Sequence, residues 1–252
     1  MQPSRLFTFA LLLLPALPAL ADSLGLAAGA SYWYYDLSGT ARYRSSNPAD
    51  DINLRNDLGY GSDQVTSVFV RLEQPVPMVP NIRLAVTDLD SSANGRLSRS
   101  VSYGGRVFSA SEAVASHIRL NQADVTLYYS PLDNWVDLDL GIDAKRVELD
   151  VDLDGSLSGH QSAHVQGWVP MLYAGVGADL PLTGLSLGLD GAWIGYQGSR
   201  FYDYRAEVRY RTPWRVGVQA GYRAIRLDLN DFDGASSNLE FSGPYAGLHL
   251  AF

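Results

Sequence analysis

Four histidines, His117, His160, His164 and His249, are the residues best suited to acid–base chemistry in this cysteine-free chain of 252 residues. A Ser–His hydrolase needs the serine hydroxyl within reach of an imidazole that a carboxylate orients. Ser116 directly precedes His117, and adjacent residues on an extended strand point to opposite faces. Ser162 and His164 share a face and form the better pair. Neither pair sits in a hydrolase motif, so no catalytic residue is assigned. The acidic run Glu148-Leu149-Asp150-Val151-Asp152-Leu153-Asp154-Gly155 offers carboxylates to a hard cation. It lacks the 12-residue ligand order and closing glutamate of an EF-hand loop, and its alternation reads as a strand carried onward. No metal site and no cofactor is expected. The chain has no strand-borne GxGxxG, no P-loop and no zinc spacing.

A larger set of charges recurs in register. Asp124, Asp137, Asp139, Asp143, Lys145, Asp190, Arg205, Glu207, Arg209, Arg215 and Arg223 fall on the polar side of segments that alternate residue by residue. The clearest runs from Asn134 to Val147, with Val136, Leu138, Leu140, Ile142 and Ala144 opposed to Asp137, Asp139, Gly141, Asp143 and Lys145. Period two marks an extended strand with one oily face. The same pattern begins at Leu24 and returns over 64–73, 81–90, 118–130, 165–180, 185–196, 201–211, 214–229 and 238–252. Parity slips at Ala224-Ile225, which predicts a bulge.

Ten strands result, each long enough for the roughly 9–11 residues that cross a bilayer when tilted. A soluble sandwich would use strands nearer five or six. Short turns at 74–80, 131–133, 181–184 and 212–213 interleave with long polar connections at 37–63, 91–117, 148–163 and 230–237, the asymmetry of an outer-membrane barrel. Aromatic residues gather at strand ends (Tyr32 to Tyr35, Tyr128, Tyr129, Trp135, Tyr202, Tyr204, Tyr210, Trp214, Phe252), as interfacial girdles do. The expected fold is therefore all-β: a transmembrane antiparallel up-and-down β-barrel of about ten strands, with eight or twelve as alternatives. An even count places both termini in the periplasm. The stretch Asp50–Tyr60 reads as a small helix or plug inside the first long connection.

The N-terminus carries Arg5, an apolar run Leu6–Leu14 and Ala19-Leu20-Ala21, the layout of a cleavable signal peptide over residues 1–21. Residues 22–252 then form one barrel, exported to the bacterial outer membrane. A net charge of −8 argues against a nucleic-acid partner. The expected partners are outer-membrane lipid, lipopolysaccharide and the outer-membrane assembly machinery, with the chain a monomer.

The chain ends Gly243-Pro244-Tyr245-Ala246-Gly247-Leu248-His249-Leu250-Ala251-Phe252, with Leu248, Leu250 and Phe252 on one face. Such a closing strand resembles the signal read by the assembly machinery. Leu72-Glu73-Gln74-Pro75-Val76-Pro77-Met78-Val79-Pro80-Asn81-Ile82-Arg83-Leu84 resembles a hairpin of a family of small proteobacterial outer-membrane β-barrels of unassigned function. The Gly-rich opening strand and the Gly243–Gly247 ending look like that family too. The resemblance implies fold and location, not activity. Pro75, Pro77 and Pro80, with Asn81, read as a stiff periplasmic turn, since proline cannot donate to a ladder.

The inward charges can either line a solute path or fill a narrow lumen as an ion-pair network. Barrels of about eight strands are filled by side chains and open channels need about sixteen, so ten favours filling. The expectation is a non-enzymatic integral outer-membrane barrel, structural or a narrow passage for a small solute or apolar molecule. A membrane-embedded lipid-modifying hydrolase and loop-mediated adhesion or binding are the alternatives.

Overall fold

A computed structural model describes residues 24–76 and 78–252. The proposed signal peptide and Pro77 lie outside the described residues. Thirteen strands occur among them: β1 (Gly25–Tyr43), β2 (Ile52–Asn53), β3 (Ser62–Glu73), β4 (Asn81–Arg96), β5 (Val101–Tyr103), β6 (Arg106–Phe108), β7 (Ala113–Asp133), β8 (Val136–Gly155), β9 (Gly159–Leu180), β10 (Leu185–Tyr196), β11 (Ser199–Arg211), β12 (Val216–Phe232) and β13 (Ala235–Ala251). The ten long ones pair antiparallel in chain order, and β13 pairs back onto β1. Within the lipid belt, closure leaves no open sheet edge among the described residues. Phe252 completes the seam: its N–H donates to Leu26 O at 2.8 Å and its carbonyl accepts from Leu26 N–H at 3.2 Å.

One face of each strand turns outward and is apolar over a continuous belt. On β8, Leu140 and Ile142 are about half exposed, as are Leu172 on β9, Leu189 on β10 and Leu248 on β13. Tyr129, Trp135, Tyr210, Trp214 and Phe252 mark the belt at the end bearing the 74–80 and 181–184 turns. Tyr32, Tyr34, Trp168, Trp193, Tyr202, Tyr204 and Tyr222 mark the other. Rings of this kind sit where lipid meets water. Trp33, Tyr35 and Tyr128 do not belong to the girdles. All three are buried inside the barrel, because parity turns them inward.

Beyond the upper ring the strands continue, and their polarity inverts without any change of parity. On β8 the inward residues change from Asp143 and Lys145 to Val147, Leu149, Val151 and Leu153, all buried. The outward residues change from Leu140 and Ile142 to Glu148, Asp150, Asp152 and Asp154. On β7, Ile118 and Leu120 turn inward while His117 and Arg119 turn outward. Leaving lipid for water exchanges which face must be polar, and the interior becomes an ordinary hydrophobic core. Here the wall divides. Pairing of β9 with β10 stops at Leu172–Trp193, close to Pro170, and pairing of β3 with β4 stops at Ser67–Thr87. Extensions of β4, β7, β8 and β9 thus face those of β1, β13 and β12 across a core. The 44–61 connection supplies Ile52, Leu54, Leu58 and Tyr60 to that core.

Three expectations need correction. The connections at 37–63, 91–117, 148–163 and 230–237 are shorter than expected because inverted polarity disguised strand as loop, whereas the alternation that carried a strand on through Gly155 holds and leaves only 156–158 between β8 and β9. His117, His160 and His164 accordingly lie within strands. The bulge at Ala224-Ile225 is absent: register runs unbroken from Val216 to Leu229 and shifts only before Phe232. Ile225 is simply the first apolar inward residue of the upper core. Arg215 does not face the lumen; it is exposed in the 212–215 turn at φ 65°, before β12 begins, with its guanidinium 5.9 Å from the Phe252 ring. The plug expected at Asp50–Tyr60 is present, as one 3₁₀ turn (Pro48–Asp50), β2 and a turn.

Candidate functional site: the lumen

At mid-barrel the inward side chains form a layer of charge that spans the lumen. Lys145 on β8 is 1% exposed and donates to Asp124 on β7 and, at 2.9 Å, to Asp203 on β11; Asp143 lies 3.7 Å away. Arg223 on β12 grips Asp203 with Nε at 3.0 Å and a terminal nitrogen at 2.8 Å, and donates its other terminal nitrogen to Thr87 on β4 at 2.9 Å. Its guanidinium stacks 5.0 Å from Trp33 on β1. Thr126 donates to Asp143 at 2.8 Å. Strands far apart in the barrel wall are therefore tied through its axis. A buried lysine is tolerated because carboxylates surround it, as a lone buried charge would not be. The cavity left at this level is about 50 Å³, room for a water or two.

Just below, Asp190 on β10 accepts from Arg205 at 2.6 Å and lies 3.5 Å from Arg83. Glu207 accepts from Tyr245 at 2.6 Å and lies 3.3 Å from Arg209. His249 is buried against Gly217, where a Cβ would sit 2.3 Å from the imidazole. Lower still the lumen opens, with Asp137 and Asp139 on one side of a vestibule bordered by the turns. Of the eleven charges expected to face inward, all but Arg215 do. Arg71 and Arg83 belong with them. Both lie on the polar side of their strands, so parity alone marks them.

The turn at 74–80 is closed by Asn81, whose side chain accepts the Gln74 N–H at 3.1 Å, while the Gln74 amide donates to the Val76 carbonyl at 3.1 Å and to that of Val79. Pro75 and Pro80 flank it. Leu248, Leu250 and Phe252 lie exposed on the outer face of the closing strand.

The histidines of the outer wall have acquired carboxylate partners. His164 Nδ1 lies 2.5 Å from Asp150 Oδ1, and that hydrogen bond raises its pKa above the ordinary value. Glu148 completes a cluster with these two. Ser162 makes no hydrogen bond to His164 among the described residues. The nearer Ser–His contact is one that sequence missed: Ser92 Oγ to His117 Nδ1 at 2.8 Å, with Asp90 3.4 Å from Nε2. Arg119 lies 3.2 Å from that same Nε2, so a neutral ring accepting this donor carries its proton on Nδ1 and cannot take one from Ser92. The contact arises from cross-strand pairing of β4 with β7, invisible until register is known.

In the loops, Glu112 is buried and accepts from the backbone N–H of Ser109, Leu157 and Ser158 and from the Ser158 hydroxyl, all within 2.7–2.8 Å. Burial alone would raise its pKa, but these donors hold the carboxyl down at about 2. It pins the 97–112 connection to the β8–β9 turn.

No protein-family model and no curated protein sequence matches the chain. Among solved structures, the outer membrane protease OmpT from Escherichia coli aligns over 90% of this chain and 97% of its own, at 11% identity and a TM-score of 0.52. The COG4313 outer membrane channel from Pseudomonas putida F1 aligns over 90% and 96% at 12% identity, with a TM-score of 0.39. The transport unit of the autotransporter AIDA-I from Escherichia coli aligns over 96% and 94% at 9% identity, also at 0.39. The first of these likenesses is one of fold, and the lower scores carry no argument. Closed antiparallel topology, an aromatic-edged apolar belt and a polar lumen define an integral β-barrel of the outer-membrane type.

Proposed function

We propose that the protein is a non-conducting outer-membrane barrel with a structural role, holding a rigid two-sheet body above the lipid surface. One observation carries this reading: the lumen is crossed at mid-height by Lys145, Asp124, Asp143, Asp203 and Arg223 in mutual contact, leaving about 50 Å³. Above that layer the apolar core built on Leu54, Leu58 and Tyr60 closes the lumen a second time. An ion-pair layer under a dry core offers no wetted path for a solute. The chain acts without a cofactor and as a monomer, in contact with lipid and lipopolysaccharide, and enters the membrane through the assembly machinery that reads Leu248, Leu250 and Phe252. The Arg119 donor at His117 Nε2 sets that ring against taking a proton from Ser92, which favours a non-enzymatic role.

The test is single-channel recording of the refolded 22–252 chain in a planar bilayer. The expected trace is silent at all voltages that the bilayer withstands. Steady ion-selective steps would overturn the reading.

A further inference from the structure

Below the ion layer the lumen widens downward, from an inner cavity of about 230 Å³ to an outer vestibule of about 470 Å³. Arg71, Arg209 and Arg211 line both, so the two form one continuous space. Its charges are sorted. The inner part sets Arg83, Arg205, His249 and those three arginines against Glu73 and Glu207, an excess of base. The outer part sets Asp137, Asp139 and Asp179 from β8 and β9, with Glu73 and Asp133, against the same three arginines, an excess of acid.

This charge is only partly matched: Arg71, Arg83 and Arg209 each lie 3.3–3.5 Å from one carboxylate, those of Glu73, Asp190 and Glu207. The Nε atoms of Arg71 and Arg83, and Nδ1 of His249, are buried and have no hydrogen-bond partner among the described residues, and that of Arg209 has only the Glu207 carboxylate, 3.3 Å away and outside hydrogen-bond geometry. Arg83 and His249 are each 7% exposed, so these are not surface groups served freely by bulk water. Within 4.0 Å, Arg211 has no carboxylate and Asp137, Asp139 and Asp179 have no cation, again among the described residues. Leaving donors unfilled in a confined space costs free energy, and a ligand that fills them recovers it. The excess of base within and of acid at the mouth makes the space a dipole, which disfavours a plain anion at the rim and a plain cation in the interior.

We propose that the vestibule binds a small zwitterion. Its carboxylate or phosphate head lies against Arg209, Arg211 and His249, and its ammonium end lies toward Asp137 and Asp139. Arginine suits the head because its fork matches two oxygens at once. Phe69 and Ala27 border the inner cavity and accept a short apolar body. At about 230 Å³ the cavity falls below the ~300–1,000 Å³ typical of drug-sized ligands, so the occupant is small. Since the lumen is sealed above, the ligand enters and leaves on the side of the 74–80 turn. Only that direction of access, not the binding, rests on the reading of a sealed barrel.

The test is isothermal titration of the refolded 22–252 chain in nanodiscs with 4-(aminomethyl)benzoate, and with its two halves, benzoate and benzylamine. The zwitterion is expected to bind at least tenfold more tightly than either half. Arg211→Gln with His249→Gln should weaken the zwitterion and benzoate at least tenfold and leave benzylamine unchanged. Asp137→Asn with Asp139→Asn should weaken the zwitterion and benzylamine and spare benzoate. Heats no larger than those of empty nanodiscs would overturn the proposal, since water alone would then serve these groups. Equal binding of benzoate and the zwitterion, or wild-type affinity in both folded variant pairs, would also overturn it. A barrel that conducts yet binds in this pattern would refute the sealed lumen and leave the zwitterion site standing.

Discussion

Replacing Lys145 by methionine keeps the apolar stem and removes the charge that Asp124 and Asp143 face. Asp203 retains Arg223, whose two nitrogens hold it at 2.8–3.0 Å. Asp124 and Asp143 have no other cation within 4.0 Å among the described residues. Removing one partner of a buried ion pair costs about 3–5 kcal/mol, because the remaining charge stays desolvated and unpaired. At about 1.4 kcal/mol per tenfold, the folding equilibrium should fall by two to four powers of ten. Lys145→Met should therefore unfold at clearly lower urea in lipid vesicles, read by tryptophan fluorescence and by loss of heat-modifiable migration. A triple variant adding Asp124→Asn and Asp143→Asn removes the orphaned charges along with their partner and should recover most of the loss. Two results would refute the reasoning: Lys145→Met within about 0.5 kcal/mol of wild type, the range of an ordinary surface change, or a triple variant no more stable than the single.

Three further expectations follow from the upper body. Glu112 has its pKa lowered to about 2 from an ordinary 4.5, so its contribution is full above the ordinary value and is lost as pH falls toward and through 2. Acid proteolysis of the 97–112 connection should rise across that window in the wild type, whereas Glu112→Gln should be cleaved equally at pH 4.5 and pH 2. His164 has a raised pKa because it hydrogen-bonds Asp150, so its stabilising share is present below the ordinary value and fades as pH rises through the elevated one; an NMR titration should show that value returning toward 6.5 in Asp150→Asn. The two seals act independently, so replacing residues 46–60 by a short turn should leave conductance undetectable, and steps should appear only when Lys145→Ala and Arg223→Ala are added.

Period-two alternation was sufficient for all ten long strands, because a barrel wall in lipid imposes one rule on every residue in the belt. Asn134–Val147 displays that rule so plainly that Asp143 and Lys145 could be placed inward without coordinates. The same rule hid the upper half. Val147, Leu149, Val151 and Leu153 are inward yet apolar, so equating inward with polar hides the strand there, although period two alone carries it on through Gly155. The core partners Ile52, Leu54 and Leu58 lie in an irregular segment with no period, and only tertiary contact reveals what they cover. Pairings such as Lys145 with Asp203 depend on which strands face each other across the lumen, a property of closure rather than of any local stretch. Arg71 and Arg83 were within reach of parity, but their chemistry as unfilled donors depends on the neighbours that closure supplies.

The inversion on β7 and β8 also acts as a proofreading device for assembly. In a barrel patterned only for lipid, a strand displaced by one residue makes a single kind of error, a charge turned outward. In β8 the same displacement makes two at once. Asp137, Asp139, Asp143 and Lys145 would turn toward hydrocarbon, where a basic group alone costs about 2–4 kcal/mol at the midplane. Glu148, Asp150, Asp152 and Asp154 would turn into the core that Leu149 and Leu153 now fill. The two errors sit at opposite ends of one rigid strand, so no local bulge relieves both. A sheet that must satisfy two solvents with one parity is penalised at both ends by any slip of an odd number of residues.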